Sequence, residues 1–288
     1  MQIGIGLPNT LDIAGPAVAE WARRAEQRGF STLATIDRIV YPTFDSLTTL
    51  AVAAGATERI GLFPDILLAP IYNPIWLAKA TASLHAMSGE RLTLGLGVGG
   101  RPDDFAAMQR DFDGRGRLMD ETLDVLARGW RGESLVPANV TGGEVAIAPQ
   151  PPSSRVPILI GGNGKAALRR TVQYADGWTA GGGGPAAAGQ MVQQVLAAWK
   201  EAGRSGQPRL AALVYFGLGD EDVSRASLQN YYGFLTDYVG FIVEGALRTP
   251  QAITDAVKAF EDVGITELIF DPTVPDLDEI DRLADLVL

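Results

Sequence analysis

Asp37, Arg38 and Tyr41 stand together in "IDRIVYP", a carboxylate, a guanidinium and a phenol within reach of one small polar substrate. Asn9, in "LPNT", adds an amide near the N-terminus, and Asp65 is a carboxylate set inside the apolar run "FPDILLAP". A lone carboxylate in such a run is costly unless it is hydrogen-bonded or functional. Gly161, Gly162, Asn163 and Gly164, in "PILIGGNGKAALRR", expose backbone N–H groups where an anion can be held, or simply let the chain turn. The chain has no cysteine, and its one histidine is His85. Thiol nucleophiles, disulfides and Cys- or His-rich metal sites are therefore excluded, and no metal site is expected. His85 lies near the end of a helix-length stretch and reads as structural, which moves the chemistry towards a cofactor.

The elements that must position these groups alternate from end to end. Strands are expected at 2–7, 31–37, 61–70, 91–98, "VPILIGG", "GWTAG", "RLAALVYFGLG" and "TELIFD". Amphipathic helices separate them, among them "PAVAEWARRAEQRGF" with Gly29 as its stop and a long one over about 115–131 capped by Asp113. Residues 133–150 interrupt the rhythm and are expected to carry a small extended segment. A helical stretch from about 221 to 247 is expected to break near Gly233 or Gly240. Near-continuous apolar strands are those of a parallel sheet covered on both faces, and eight strand–helix units close a barrel. The fold predicted is an α/β TIM (β/α)8 barrel, one domain over 1–288, with a short insertion after the fourth strand–helix unit.

Barrel chemistry lies at the C-terminal ends of the strands. That places Asn9 after the first strand, Asp37, Arg38 and Tyr41 after the second, and Gly161–Gly164 after the fifth, leading into a helix N-terminus. "GLGVGG", Gly95 to Gly100, has the spacing of a dinucleotide fingerprint. Pro102 follows at once and Asp120 falls within a helix, so the plainer reading is steric: small residues such as Gly97 let a flat ring approach the backbone. Arg117 begins the long helix. It is either a surface arginine paired with Glu121 or a cation aimed at an anion held by Gly161–Gly164. "GGGGP", Gly181–Pro185, forms a rim after the sixth strand.

Composition narrows the partners. Hydrophobic residues make up 47% and charged residues 20%, which supports a filled core, and the net charge is −10. An acidic chain is a poor ligand for nucleic acid or anionic membrane. No leader is evident and no apolar run reaches the ~18 residues of a membrane span, so a cytoplasmic protein is expected.

The stretches "ATERIGLFPDILLAPIYNPIWLAKATASLHAMSGERLTLGLGVG", "FDGRGRLMDETLDVLARGWRGE" and "PPSSRVPILIGGNGKAALRRTVQYADGW" together resemble the luciferase-like flavin-dependent oxidoreductases, as does "RTPQAITDAVKAFEDVGITELIF". The resemblance spans nearly the whole chain in order. It implies a TIM barrel binding FMN or coenzyme F420, its phosphate beside Gly161, Gly162, Asn163 and Gly164 and met by Arg117. Val98 stands where family members carry a further phosphate-binding arginine. The resemblance also implies a non-prolyl cis peptide at Asp65–Ile66 supporting the flavin ring over Gly97 and Val98. Where several members place a histidine, this chain has Asp37, Arg38 and Tyr41, which leaves no histidine there for peroxyflavin chemistry and keeps plain hydride transfer open. The implied activity is monooxygenation with a separate flavin reductase, or F420-dependent hydride transfer, on a small organic substrate, in a homodimer. A catalytically silent flavin-binding protein and a phosphorylated-metabolite enzyme on an ordinary barrel are the alternatives.

Overall fold

The computed structural model describes residues 1–288. The first helix shows how the sequence builds the outer ring. α1 (Ala17–Arg28) follows β1 (Gln2–Gly6) and buries Val18, Trp21, Ala22 and Ala25 at helical spacing. Gly29 ends it at φ 95°, its N–H bonding back to Ala25 and Glu26, a conformation that favours glycine. β2 (Thr32–Thr35), α2 (Ser46–Ala56) and β3 (Gly61–Pro64) follow, then β4 (Leu67–Leu68), α3 (Pro74–Met87) and β5 (Leu94–Gly97). α4 (Pro102–Ala107), α5 (Arg115–Trp130) and α6 (Ala138–Thr141) lead to β6 (Ile158–Gly161), α7 (Lys165–Tyr174), β7 (Gly177–Gly181) and α8 (Gly184–Glu201). The chain closes with β8 (Arg209–Phe216), α9 (Glu221–Tyr232), α10 (Val239–Glu244), α11 (Pro250–Asp262), β9 (Glu267–Pro272) and α12 (Asp278–Val287).

All strand pairs are parallel, in the order β3-β2-β1-β9-β8-β7-β6-β5-β4. β3 and β4 are successive halves of one strand, so the order closes on itself as an eight-stranded barrel, with a further bridge from Leu62 to Leu92. The expected third strand is thus divided at Asp65–Ile66, a cis peptide. Arg24 and Arg28 of α1 pair with Asp278, Asp281 and Asp285 of α12, joining the first and last helices of the ring. No helix is long and apolar enough to cross a membrane.

Three local expectations change and one is met. Residues 133–150 hold the single turn α6 and no strand. Gly114, not Asp113, is the N-cap of α5, and no side chain caps it. Pro102 starts α4, because a missing N–H costs nothing in the first turn of a helix. The long C-terminal helical stretch breaks at Gly233, whereas Gly240 lies within α10.

The barrel interior is layered. At its N-terminal end Glu267 is fully buried, bound by Arg209, whose Nε lies 2.8 Å away, and by Thr32 Oγ1 at 2.5 Å. Arg209 also donates to Thr93 Oγ1 at 3.0 Å, so these polar groups plug that end. Ala34, Phe63, Leu159, Ala211, Leu213 and Ile269, from five different strands, fill the middle. The other end is the mouth.

Candidate active site

Two glycine turns stand side by side on the mouth, because Gly161 of β6 pairs in register with Thr179 of β7. In the first, Gly162 has φ +111°, and its carbonyl accepts a 2.8 Å bond from Trp178 Nε1. Asn163 and Gly164 are exposed, and α7 begins without a side-chain cap. In the second, Gly182, Gly183 and Gly184 have φ of +75°, +86° and +72°, and α8 is likewise uncapped. The N–H groups of Gly162, Asn163, Gly164, Gly182 and Gly183 find no acceptor within the protein. Free donors at two neighbouring uncapped helix starts fit an anion such as a phosphate.

Arg117 lies in the first turn of α5, 64% exposed. It pairs with Glu121 at 2.7 Å and lies 3.9 Å from Asp111. It touches neither glycine turn. α5 meets α7 through Arg170, which donates to Asp120 at 2.7 Å and to the Gly116 carbonyl at 2.8 Å, one residue before Arg117.

The floor of the mouth is made by glycine. A Cβ on Gly97 would collide with Ile66 Cδ1, and one on Gly161 would come within 3.2 Å of it, so Ile66 lies across both strand ends. Val98, next along, is half-buried. The Asp65 carboxylate points inward and accepts from Thr179 Oγ1 at 2.9 and 3.1 Å. Burial pushes its pKa up to about 7, partly offset by the Thr179 hydroxyl.

The polar groups of the first two strand ends are differently placed. Asn9 is fully buried, with its amide bonded to Ile36 N, Ile36 O and Phe44 O. Asp37 accepts from Leu68 N at 2.9 Å and from Tyr72 Oη at 2.8 and 3.0 Å, and burial pushes its pKa up to about 7. It fastens the end of β2 to the end of β4. Arg38 Nε lies 2.7 Å from Asp104, and its Nη2 donates to Asp103 and to the Val40 carbonyl, both at 3.0 Å. Asp104 in turn accepts from the backbone N–H groups of Ile39 and Val40. Only Tyr41 faces open space. Its hydroxyl accepts from Asn230 at 3.1 Å, and it lines a cavity of about 490 Å³ with Thr10, Leu11 and Phe44. His85 is buried on α3 with Nδ1 3.0 Å from the Leu92 carbonyl, a structural setting away from the mouth.

Residues not singled out from the sequence complete the mouth. Arg101 lies over the rings of Tyr231, Tyr232 and Phe234, with centroids 4.6, 5.4 and 3.8 Å away. The Tyr232 and Tyr215 hydroxyls meet at 2.6 Å. Asp271 ends β9 beside Tyr215, its partner in register. Period-two reading of "ELIFDP" places Glu267, Ile269 and Asp271 on one face, which was the available signal for Asp271. Arg101 and the tyrosines of α9 come together only through tertiary packing.

Residues 1–261 match the model of the luciferase-like monooxygenase family, and the chain belongs to that family. An uncharacterised protein of Mycobacterium tuberculosis is 30% identical over 231 residues, covering 71% of this chain and 78% of its own. The fold is shared with an F420-dependent secondary alcohol dehydrogenase solved with an F420–acetone adduct (TM-score 0.82, 19% identity, 100% and 98% of the two chains covered). It is shared too with the oxygenating constituent of 3,6-diketocamphane monooxygenase from Pseudomonas putida, solved with FMN (TM-score 0.75, 15% identity, 99% and 96% covered).

Proposed function

We propose that this protein is a two-electron oxidoreductase that holds FMN or the deazaflavin F420 across the barrel mouth and acts on a small organic substrate. The observation that carries this reading is the pair of adjacent glycine turns, whose N–H groups are unpartnered, beside a floor in which Gly97 and Gly161 let Ile66 lie across the strand ends. The N–H groups of Gly162, Asn163 and Gly164 would hold the phosphate. Arg117 would join them by leaving Glu121, since an exposed pair of this kind is worth only about 0–1 kcal/mol. Ile66, Gly97 and Val98 would lie beneath the ring, with Asp65 fixed below by Thr179. When bound, such a ring supplies the two-electron chemistry. The protein orients it, excludes water and moves protons. In this reading Asn9, Asp37 and Arg38 shape the mouth through the bonds described above, while Tyr41 meets the substrate at the rim.

Titration of oxidised and reduced FMN and F420, followed by fluorescence, tests this. One of them should bind below about 100 μM, roughly −5.5 kcal/mol. Failure of both overturns the reading in favour of a phosphorylated-metabolite enzyme, and binding without turnover by any donor identifies a silent flavin-binding protein. Arg117→Ala should weaken binding about tenfold, near 1.4 kcal/mol, and lessen its salt dependence. An unchanged affinity assigns the phosphate to the backbone alone. FMN use would require a separate reductase to supply reduced flavin, and with it a shared cytoplasmic location.

A homodimer is part of the proposal. α2 ("SLTTLAVAAGA") has no charged residue and α3 carries one lysine, yet both lie on the outer ring. They expose Val52 (45%), Trp76 (51%) and Met87 (85%). An apolar helix face open to water is suited to a second copy of the same face.

A further inference from the structure

Six acidic side chains are buried in this protein, and five have donors. Asp37 has Leu68 N and Tyr72, Asp65 has Thr179, Asp104 has two backbone N–H groups, Glu267 has Arg209 and Thr32, and Glu279 has Leu218 N and Arg282. Asp271 has none. It is 1% exposed, neither oxygen makes a hydrogen bond, and Oδ1 is fully enclosed, so the little exposure it keeps falls on Oδ2. Gly6 makes room for it, since a Cβ there would collide with Oδ1. An enclosed carboxyl without a donor costs stability and is rare in folded proteins. This one lies on the inward face of a strand, at the end of the barrel that opens as the mouth.

We propose that Asp271 is the acid–base residue of this site, acting on a carbonyl or hydroxyl compound. The assignment rests on the oxidoreductase reading above. In reduction, the carbonyl carbon receives a hydride from the reduced cofactor, the π electron pair moves to oxygen, and that oxygen takes the Asp271 proton. The cofactor is left oxidised by two electrons and Asp271 ionised. In oxidation, the carboxylate takes the hydroxyl proton while the carbon gives up its hydride. Burial holds the carboxyl pKa well above the usual range, and Asp65 adds to this, so the acid is neutral before reduction. The groups that face it are Asp65 from the third barrel strand, Tyr215 of β8, and Tyr231 and Tyr232 of α9. No cation pairs with it.

Infrared spectroscopy of the cofactor-free Asp37→Asn/Asp65→Asn protein, which lacks the two other carboxyls that are partly protonated near pH 7, should show a protonated carboxyl band that further Asp271→Asn substitution removes. The Asp271→Asn protein should keep its melting temperature, because a neutral amide replaces a neutral carboxyl of the same shape that had no hydrogen-bond partner to lose. It should bind cofactor within about threefold of the wild type, yet reduce simple ketones or oxidise secondary alcohols at least about 100-fold more slowly, with the corresponding limb of the pH profile lost. Absence of the band, a clear fall in melting temperature, or unchanged kcat and pH profile would each overturn the assignment. So would a wild type that binds cofactor but turns over no ketone or alcohol. A wild type that binds neither cofactor instead removes the underlying oxidoreductase reading.

Discussion

Asp37 and Tyr72 hold one another where the second and third barrel strands end, and the burial of this carboxyl makes stability depend on pH. Burial raises the folded-state pKa of Asp37, and of Asp65, from an ordinary value near 4 to about 7. The folded protein therefore keeps protons that the unfolded chain has already lost. The resulting stabilisation is complete below the unfolded value and is lost as pH rises through about 7. Melting temperature should fall between pH 5 and pH 8, and Asp37→Asn or Asp65→Asn should flatten that slope. A slope unchanged in both variants would contradict this. Tyr72→Phe removes the Asp37 donor and should cost about 1–3 kcal/mol in denaturant unfolding, more at pH 8 than at pH 5, because the ionised carboxylate needs the hydroxyl most.

The strand β5 separates two kinds of glycine. A Cβ on Gly95 would collide with the Pro64 carbonyl, which is backbone and cannot move aside, whereas one on Gly97 would meet only the far end of the Ile66 side chain. Gly95→Ala should therefore destabilise by about 1–3 kcal/mol. Gly97→Ala should leave stability nearly unchanged while weakening cofactor binding, and equal melting temperatures for the two would refute the distinction. At this scale the sequence is legible where each element follows its own period: eight strand positions, the stop at Gly29 and the glycine turn after the fifth barrel strand. It is not legible where a neighbour decides. The lone turn of α6 and the start of α4 depend on tertiary packing, while the cis peptide at Asp65–Ile66 shows beforehand only through the family resemblance. In the site, the glycine turn shows in the sequence because composition and position coincide. Asp271 passes unnoticed because its importance lies in what surrounds it, namely the absence of any donor. Asp37 and Arg38 stand out as polar residues at a strand end, but the sequence does not reveal Tyr72 and Asp104, the partners that engage them.

For the molecule as a whole, the proposed dimer would cover the apolar faces of α2 and α3 with a second copy. Light scattering should give a dimer at micromolar concentration, and Trp76→Glu should shift it towards monomer, since a buried tryptophan at the centre of an interface is commonly worth at least ~2 kcal/mol. A monomeric wild type would remove the dimer from the reading. The plug formed by Arg209, Glu267, Thr32 and Thr93 has a different consequence. With one end of the barrel sealed, the proposed cofactor and its substrate would share a single doorway, and the larger, planar one would have to settle against its floor before the smaller could follow. Traffic through such a doorway is last in, first out, and product-inhibition patterns would record that order.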